Sequence, residues 1–330
     1  MVSGKPLLGL TPHERLRVWL WNGEDPMDEL QRRIMAAVKY HNLQREDIEG
    51  YLFVNSGRSS PITLAAMDGR AAKVDVQSKN EIIANILDNR IDLVVIDPLI
   101  ASHMVNENEN GPIALVAETW ADIAEQTNCA IELVHHTRKM IGEATHDDAR
   151  GASALVNASR SARVLNRMTE HEATSFKVEN RRLYFRVDNG KSNMAKPADA
   201  ANWFRMASID LCNGEKGLSD NVGVVTNWKP PAVDADVDFT ALRRVQEAVD
   251  NDGPWRADIR VKDKWVGVAV ASALGLDLTN TQHKKKIREL VKKWIEDGRL
   301  RNYEDTDEHR ETKTFVKVGK WIEKGEQEPF

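Results

Sequence analysis

An apolar run that stops at an aspartate constrains the fold of this chain more than any other feature. Residues Leu93 to Ile96 are apolar without alternation, and Asp97 and Pro98 follow directly. A short continuous apolar run that ends at a breaker is typical of a strand covered on both faces, as in a parallel sheet. In open α/β sheets the ligand site lies at the carboxyl ends of such strands. The run therefore predicts a buried parallel strand with Asp97 at a ligand-binding edge, although an aspartate that caps the following loop gives the same pattern.

The length and composition of the chain exclude several classes of protein. Its 330 residues, of which 41% are hydrophobic and 29% charged, suggest one large domain or one large and one small domain. A net charge of -5 provides no global attraction to nucleic acid, so any such contact must be local. The two cysteines, Cys129 and Cys212, fit a reducing compartment without a disulfide framework. Since no apolar run reaches membrane-spanning length and no signal peptide opens the chain, we expect a cytoplasmic protein that does not enter the membrane.

Strands and helices alternate along the first part of the chain. The predicted strands of this part cover residues 17–21, 51–54, 62–64, 93–97 and 129–134, and the predicted helices cover 27–40, 81–87 and 112–127. Such alternation is typical of an α/β fold with a parallel sheet and crossover helices. Further strands are predicted at 162–165 and 184–187, and two more, at 203–211 and 222–226, indicate an antiparallel finish to the sheet. The sequence Asp188-Asn189-Gly190 predicts a turn after the strand at 184–187.

The composition changes in the last third of the chain. A stretch rich in proline, alanine and aspartate, 229–237, predicts a linker between a core of residues 1–228 and a C-terminal domain of residues 238–330. In this tail, three apolar stripes at helical spacing precede two strand-like runs, 300–303 and 314–318. Three helices and a two-stranded ribbon describe a winged helix-turn-helix domain.

Polar residues follow three of the predicted parallel strands. Glu24 and Asp25 follow the first strand, Asp97 ends the central one, and His135 and His136 follow the last. In a parallel sheet all of these residues lie at one edge. The set suits phosphoryl transfer, in which one carboxylate holds Mg²⁺, another orients the attacking water and a polar side chain senses the γ-phosphate. A carboxylate that complements a helix dipole explains Glu24 alone, and a core histidine explains His135 alone, so the argument depends on the three clusters together.

Five motifs together resemble those of a known family. In chain order they are W-N-G-E-D-P, L-V-V-I-D-P-L, V-H-H-T-R-K, A-R-G-A-S-A-L and D-N-G-K-S-N. The series is similar in order and spacing to the RepA-type ATPases, which are hexameric, helicase-like AAA proteins of the RecA fold, common on plasmids and prophages. The resemblance covers about residues 5–228. It implies a RecA-like core, ATP and Mg²⁺ as cofactors, DNA as a partner and a homo-hexamer or other ring.

The resemblance also implies a role for each matched residue. The catalytic residues would be a water-activating glutamate, a Walker B aspartate that binds the metal, and a histidine pair that senses the γ-phosphate: Glu24, Asp97, and His135 with His136. A basic residue that binds nucleotide or reaches into the neighbouring subunit corresponds to Arg150 or Lys191, which the motifs do not separate.

One element of that family has no counterpart in these residues. The P-loop pattern G-x-x-x-x-G-K-[ST] requires an earlier glycine, a preceding strand and a hydroxyl after the lysine, whereas Gly4-Lys5 is followed by Pro6. Relatives begin with a strand, a P-loop and a helix that leads into a segment like 3–9, so we expect a family member that lacks its N-terminal P-loop segment. Because the P-loop supplies most phosphate contacts, we expect ATP hydrolysis to be impaired.

Basic residues cluster in the last predicted helix. Those expected to contact DNA phosphates are Lys284, Lys285, Lys286, Arg288 and Lys292. A solvated helix face explains the same run, whereas on a winged helix such a helix meets the DNA backbone. Acidic residues between 297 and 308 favour a protein partner instead.

Two functional hypotheses therefore stand. The first is a RecA-fold ATPase of the RepA helicase or replication type, in which hydrolysis is coupled to DNA binding. The alternative is a non-catalytic DNA-binding or partner-binding protein that acts through its C-terminal winged helix.

Overall fold

The computed structural model describes residues 1–69, 71–136, 152–192, 202–214, 218–231, 234, 236–308 and 310–323. Contacts within the chain divide it into two compact units, Met1–Lys229 and Pro230–Phe330. The division falls at the start of the predicted linker, and the boundaries of the predicted domains stay a prediction.

The first unit begins with alternating strands and helices and ends with antiparallel strands. Its elements are β1 (Val18–Asn22), α1 (Met27–Tyr40), β2 (Leu52–Ser56), β3 (Ala65–Asp68), β4 (Ala71–Val74), α2 (Val76–Asn89), β5 (Leu93–Asp97), α3 (Asn110–Thr127), β6 (Ala130–Leu133), α4 (Ala152–Ala158), β7 (Ser161–Arg167), α5 (Glu170–Phe176), β8 (Tyr184–Ser192), β9 (Asn202–Asp210) and β10 (Asn221–Asn227).

A four-stranded parallel sheet in the order β2-β1-β5-β6 forms the core of this unit. The α/β prediction with a parallel sheet is therefore confirmed. Burial along β5 alternates, because Val94 and Ile96 are fully buried while Leu93 and Val95 are partly exposed. The buried residues pack in one cluster with Ile86 of α2 and apolar residues of α3. The second face of this strand, with Leu93 and Val95, is partly covered among the described residues.

The segment after β2 differs from its prediction. Residues 62–64 do not form a strand, and the Leu64 amide instead donates a hydrogen bond to the Ser102 carbonyl after β5, at 2.8 Å. An antiparallel hairpin of β3 and β4 follows instead. Its strands contain four alanines and few β-branched residues, so strand propensity gave no signal for them.

The antiparallel strands form a second sheet in the order β10-β9-β8-β7 and do not complete the first. The turn predicted at Asp188-Asn189-Gly190 is wrong, since β8 continues to Ser192. The Asp188 carboxylate lies on the sheet, where it accepts hydrogen bonds from Asn166 Nδ2 and Arg186 Nε, each at 2.9 Å. The pairing shifts between Ala162 and Arg163 of β7, where Gly190 of β8 has no partner, so the glycine of the predicted turn lies at a β-bulge.

The second unit contains three helices and a three-stranded antiparallel sheet. Its elements are α6 (Phe239–Asn251), β11 (Trp255–Arg256), α7 (Val266–Leu274), α8 (Thr281–Glu296), β12 (Leu300–Thr306) and β13 (Thr312–Val318). The sheet order is β11-β13-β12, so the two-stranded ribbon gains a short third strand that the sequence analysis missed. The winged-helix assignment of this unit stays a prediction.

Among the described residues of the second unit, Gln246 is the one polar side chain in an otherwise apolar core. Trp294, Ile287 and Val245 are fully buried. Gln246 is also fully buried, and its amide nitrogen donates to the carbonyls of Arg299 and Lys320 at 3.0 and 2.9 Å. Its amide oxygen accepts a hydrogen bond from the Ile322 backbone at 3.0 Å, so the buried amide is well satisfied. Across the described ranges of the chain, no helix has both the length and the apolar character needed to cross a membrane.

Candidate functional site

Three neighbouring parallel strands bring their carboxyl ends to one edge of the first sheet. β1 and β5 pair with Asn22 opposite Asp97, and β6 pairs with β5 on its other side. Asn22 Nδ2 donates a hydrogen bond of 3.3 Å to Asp97 Oδ2. Across the same edge, His136 Nε2 lies 4.0 Å from Glu24 Oε1, and both side chains are about two-thirds exposed. The structure thus places Glu24, Asp97 and His136 together at a solvent-accessible edge.

Asn22 organises the turn that carries Glu24, and the sequence analysis missed it. Its side chain is buried, and its Oδ1 accepts hydrogen bonds from the amides of Glu24 at 3.1 Å and Asp25 at 2.8 Å. These bonds satisfy the first free amides after β1 and fix the direction of the chain into α1. The signal available in the sequence was an asparagine before a glycine at the end of a strand, a pair typical of turns.

Two glycines allow the loops at this edge to approach each other closely. A Cβ atom at Gly23 would lie 2.3 Å from the Cβ of Ala101, and one at Gly57 would lie 2.7 Å from the Gly23 Cα. The Gly23 amide donates to the Asp97 carbonyl at 2.8 Å, and the Gly57 amide donates to the Asn22 carbonyl at 2.7 Å. The turn that presents Glu24 is therefore held by backbone bonds to both neighbouring strands.

The electrostatics of this edge favour a cation. Asp97 is half-buried, and burial, followed by the nearby charge of Glu24, raises the pKa of its carboxyl group. The hydrogen bond from Asn22 and the proximity of His136 act in the opposite direction and lower this pKa. Two carboxylates at close range, one of them poorly hydrated, leave negative charge that a bound cation would offset.

The donor set at this edge fits one class of metal better than others. In the part of the chain that the structure describes, no three histidine, cysteine, aspartate or glutamate side chains are arranged to hold a metal ion together. Mg²⁺ is commonly bound through one or two carboxylates, with water and substrate phosphate oxygens as the remaining ligands. Asp97 beside Glu24 and Asn22 fits that mode, and it does not fit a closed all-protein zinc or calcium site.

The two adjacent histidines have different environments. The side chain of His136 is exposed and faces Glu24, whereas that of His135 is only 7% exposed and lies with Nδ1 3.5 Å from Glu107 Oε1. Successive residues of an extended chain point in opposite directions, which separates the pair. The sensor role implied for His135 stays a prediction, and the structure places His136 closer to the predicted chemistry. Glu107 had no signal in the sequence, where it is one of several polar residues in a loop.

Asp25, the other carboxylate of the first motif, is engaged elsewhere. Its Oδ2 forms an ion pair of 2.8 Å with Arg33 Nη1 on the next turns of α1. Glu24 is therefore the carboxylate of this pair that faces the strand edge.

Lys191, one of the two candidates for a basic residue that acts on a neighbouring subunit, is bound within its own chain. Lys191 Nζ donates hydrogen bonds to the carbonyls of Val156 and Asn157 at the end of α4, at 2.8 and 3.2 Å. It thus stabilises a helix end within its own chain. Arg150 lies outside the described residues.

The basic residues of α8 divide into paired and exposed groups. Lys286 is ion-paired with Asp236 at 2.7 Å, in the segment that precedes α6. The exposed residues are Lys284, Lys285, Arg288 and Lys292. Lys285 and Lys292 lie 3.9 and 3.7 Å from Glu289 and Glu296, whereas within the described ranges Lys284 and Arg288 form no ion pair. Because Lys284, Arg288 and Lys292 are spaced by four residues, they form one cationic stripe along the helix.

Comparisons with known proteins agree with part of this picture. Residues 1–140 match a protein family described as an AAA domain. This match agrees with the broad AAA assignment drawn from the motifs. A solved structure titled "Crystal structure of the RadB recombinase" is similar over 58% of this chain and 76% of that chain, with 13% sequence identity and a TM-score of 0.37.

Replacement of Asp97 by asparagine should stabilise the ligand-free protein at neutral pH. A carboxyl group with a raised pKa in the folded state destabilises that state once it ionises, and the penalty disappears at pH values where it is protonated in both states. We therefore expect Asp97→Asn to raise the melting temperature at pH 7, with the gain lost as the pH falls to about 4, near the ordinary aspartate pKa. Asp88→Asn, at an exposed position of α2, is the control and should show no such trend. Thermal melts across this pH range that show equal effects for both variants would contradict the electrostatic account.

Proposed function

We propose that the first unit is the core of a RecA-fold nucleoside triphosphatase of the RepA helicase or replication type, which uses ATP and Mg²⁺. The observation that supports this proposal most strongly is the convergence of Glu24, Asp97 and His136 at the carboxyl edge of three adjacent parallel strands. This is the edge at which open α/β sheets bind ligands. The AAA-domain match of residues 1–140 supports the same class of enzyme.

Each side chain at this edge has a distinct role in the proposal. Glu24 is exposed and free to orient the attacking water, because Asn22 fixes its backbone while its carboxylate faces solvent. Asp97 holds the metal side of the site, since it is half-buried, and burial followed by the nearby charge of Glu24 raises the pKa of its carboxyl group. His136, beside Glu24, senses the γ-phosphate. Mg²⁺, when bound with nucleotide, would neutralise charge that develops on the phosphate oxygens.

The 330 residues lack the sequence motif that binds the phosphates in P-loop enzymes. They contain no G-x-x-x-x-G-K-[ST] sequence, which in P-loop enzymes cradles the β- and γ-phosphates with backbone amides and a lysine. We therefore expect these residues alone to hydrolyse ATP only in traces, well below about 1 s⁻¹, the low end of ordinary turnover numbers. A test of the catalytic roles needs a phosphate-binding segment fused ahead of residue 1.

In a fusion that places a strand, a P-loop and a helix before residue 1, three variants should fail in different ways. Glu24→Gln should bind ATP but not hydrolyse it, because the carboxylate acts on the nucleophile and contributes little to ground-state binding. Asp97→Asn should also weaken binding of Mg²⁺ with ATP, since it removes charge opposite the metal. His136→Ala should bind ATP but lose any response of hydrolysis to DNA. Nucleotide titrations and steady-state hydrolysis, with and without DNA, separate the three results.

The order of these defects decides whether the roles are correct. Hydrolysis at the parental rate by Glu24→Gln would show that Glu24 is only a carboxylate at the start of a helix. Asp25 would then be the next candidate for the carboxylate that orients the water. Because Asp25 is ion-paired with Arg33, the variant Arg33→Gln would release its carboxylate and is the second variant to measure.

Coupling to DNA and assembly into a hexameric ring are the finer parts of the proposal. They follow from the motif series and, for DNA, from the exposed cationic stripe of Lys284, Arg288 and Lys292 on α8. We propose that the second unit is a winged helix whose α8 contacts DNA phosphates. Since Lys191 is bonded to α4 of its own chain, the proposal assigns the residue that acts across a subunit interface to Arg150.

A second candidate function is non-catalytic binding of DNA or a partner protein through the second unit. The observation that favours it is the absence of a P-loop sequence from the 330 residues. In this reading the first unit is a scaffold. The two candidates share the DNA surface and differ in whether the strand edge binds Mg²⁺ and nucleotide.

Neutralising the stripe should weaken DNA binding and reduce its dependence on salt. Each phosphate contact contributes about 0.9 to the slope of log K against log salt concentration for duplex DNA. We expect Lys284→Gln, Arg288→Gln and Lys292→Gln together to lower the magnitude of the slope by about 2 to 3. Lys286→Gln is the matched control on the same helix, and its ion pair with Asp236 predicts an unchanged slope. Equal slopes for the triple variant and the parental protein, measured by fluorescence anisotropy, would rule out this surface.

A further inference from the structure

A buried carboxylate lies behind the end of β6 and has no role in the chemistry proposed above. Glu107 belongs to the loop before α3 and is only 9% exposed. Its Oε1 has no hydrogen-bond partner in the described part of the chain. Removing a carboxylate from water to this extent is strongly unfavourable unless an opposite charge or a donor faces it. The group that faces it is the imidazole of His135, with Nδ1 at 3.5 Å.

A second histidine in the same cluster does not supply the balancing charge. The Val105 amide donates a hydrogen bond to His103 Nδ1 at 3.3 Å, so this nitrogen is an acceptor and the proton of the neutral ring is on Nε2. Burial, the largest effect, lowers the pKa of His103, which keeps the ring neutral. His135, with Nδ1 3.5 Å from Oε1, is the described side chain that faces the carboxylate of Glu107 most directly in the ion-pair geometry.

Backbone hydrogen bonds hold the end of β6 beside its neighbour. The Val134 amide donates to the Ile96 carbonyl at 2.9 Å, and its carbonyl accepts from the Leu99 amide at 2.7 Å. Of the two histidines that follow, His135 has a buried side chain beside Glu107, whereas the side chain of His136 is exposed and faces Glu24. Because the two residues are adjacent, the position of the buried imidazole constrains the backbone that carries His136.

We propose that Glu107 is a positioning residue for the strand-end site. Its buried carboxylate holds the imidazole of His135, and this contact presents His136 to Glu24 and Asp97. The catalytic meaning of this contact rests on the proposed function, but the arrangement of the histidines can be measured without catalysis.

The test follows the histidine rings in the whole 330-residue chain. Labelling at ¹³Cε1 gives signals for nine histidines, which single substitutions assign. In the parental protein, Glu24→Gln should shift the His136 signal, since the two side chains are 4.0 Å apart. In a Glu107→Gln background we expect that response to fall to less than half, and the His135 signal to move as well.

Glu109→Gln is the matched control. Glu109 lies in the same loop, but it is exposed and accepts a hydrogen bond from Asn106 Nδ2 at 2.9 Å. Its replacement should leave the His135 signal and the response of His136 to Glu24→Gln unchanged. If Glu107→Gln does not fold, Glu107→Asp keeps the charge while withdrawing it by one methylene, and it is expected to give the same reduced response.

An unchanged response of His136 in the Glu107 variants would overturn the proposal, even if their melting temperatures fall, because a purely structural role predicts only the loss of stability. ATP hydrolysis by the P-loop fusion separates this inference from the proposed function. Loss of the ring response in a fusion that does not hydrolyse ATP would support positioning and remove the catalytic proposal. Hydrolysis of ATP by the fusion, together with an unchanged response of the His136 signal in the Glu107 variants, would support the catalytic proposal and overturn the positioning role of Glu107.

Discussion

The parallel register between β1 and β5, which sets Asn22 opposite Asp97, is the constraint on which the candidate site depends. From that position the Asn22 side chain donates to the Asp97 carboxylate and accepts from the two amides that follow β1. A shift of one residue would move every side chain of β1 to the opposite face. It would bury Leu20 in place of Trp21 and remove the polar link between the two strands. The same register that packs the core therefore fixes the distance between the carboxylates at its edge.

The sequence predicted the parts of the fold that depend on local patterns. The apolar run before Asp97 and the helix at 27–40 were located well, because burial and spacing leave a direct trace in the sequence. The hairpin of β3 and β4 was missed, because its stability comes from bonds to a distant loop and not from strand propensity. The Asp-Asn-Gly sequence predicted a turn, because the strand that pairs with it and supplies Asn166 to Asp188 is distant along the chain.

In the candidate site, too, residues that follow a local sequence pattern could be predicted, whereas residues that act through distant contacts could not. Strand ends can be predicted from a sequence, so Glu24, Asp97 and the histidine pair could be named as candidates. The groups that fix them could not be predicted, because Asn22, Gly57 and Glu107 act through contacts made only after the chain folds. A buried carboxylate in a loop of asparagines and glutamates has no distinguishing sequence signal. Its burial beside His135 is visible only in the structure, and it separates two adjacent histidines that a motif treats as equivalent.

The central claim is that a divalent cation binds with nucleotide at the edge formed by Glu24, Asp97 and His136. Mn²⁺ substitutes for Mg²⁺ and broadens nearby nuclear resonances, so weak binding is detectable. In the P-loop fusion with ATP present, substoichiometric Mn²⁺ is expected to broaden the ¹³Cε1 signal of His136 before those of the other histidines. Asp97→Asn is expected to abolish this selectivity, and Asp88→Asn is expected to preserve it. Uniform broadening of all exposed histidines, or selective broadening that survives Asp97→Asn, would contradict the account.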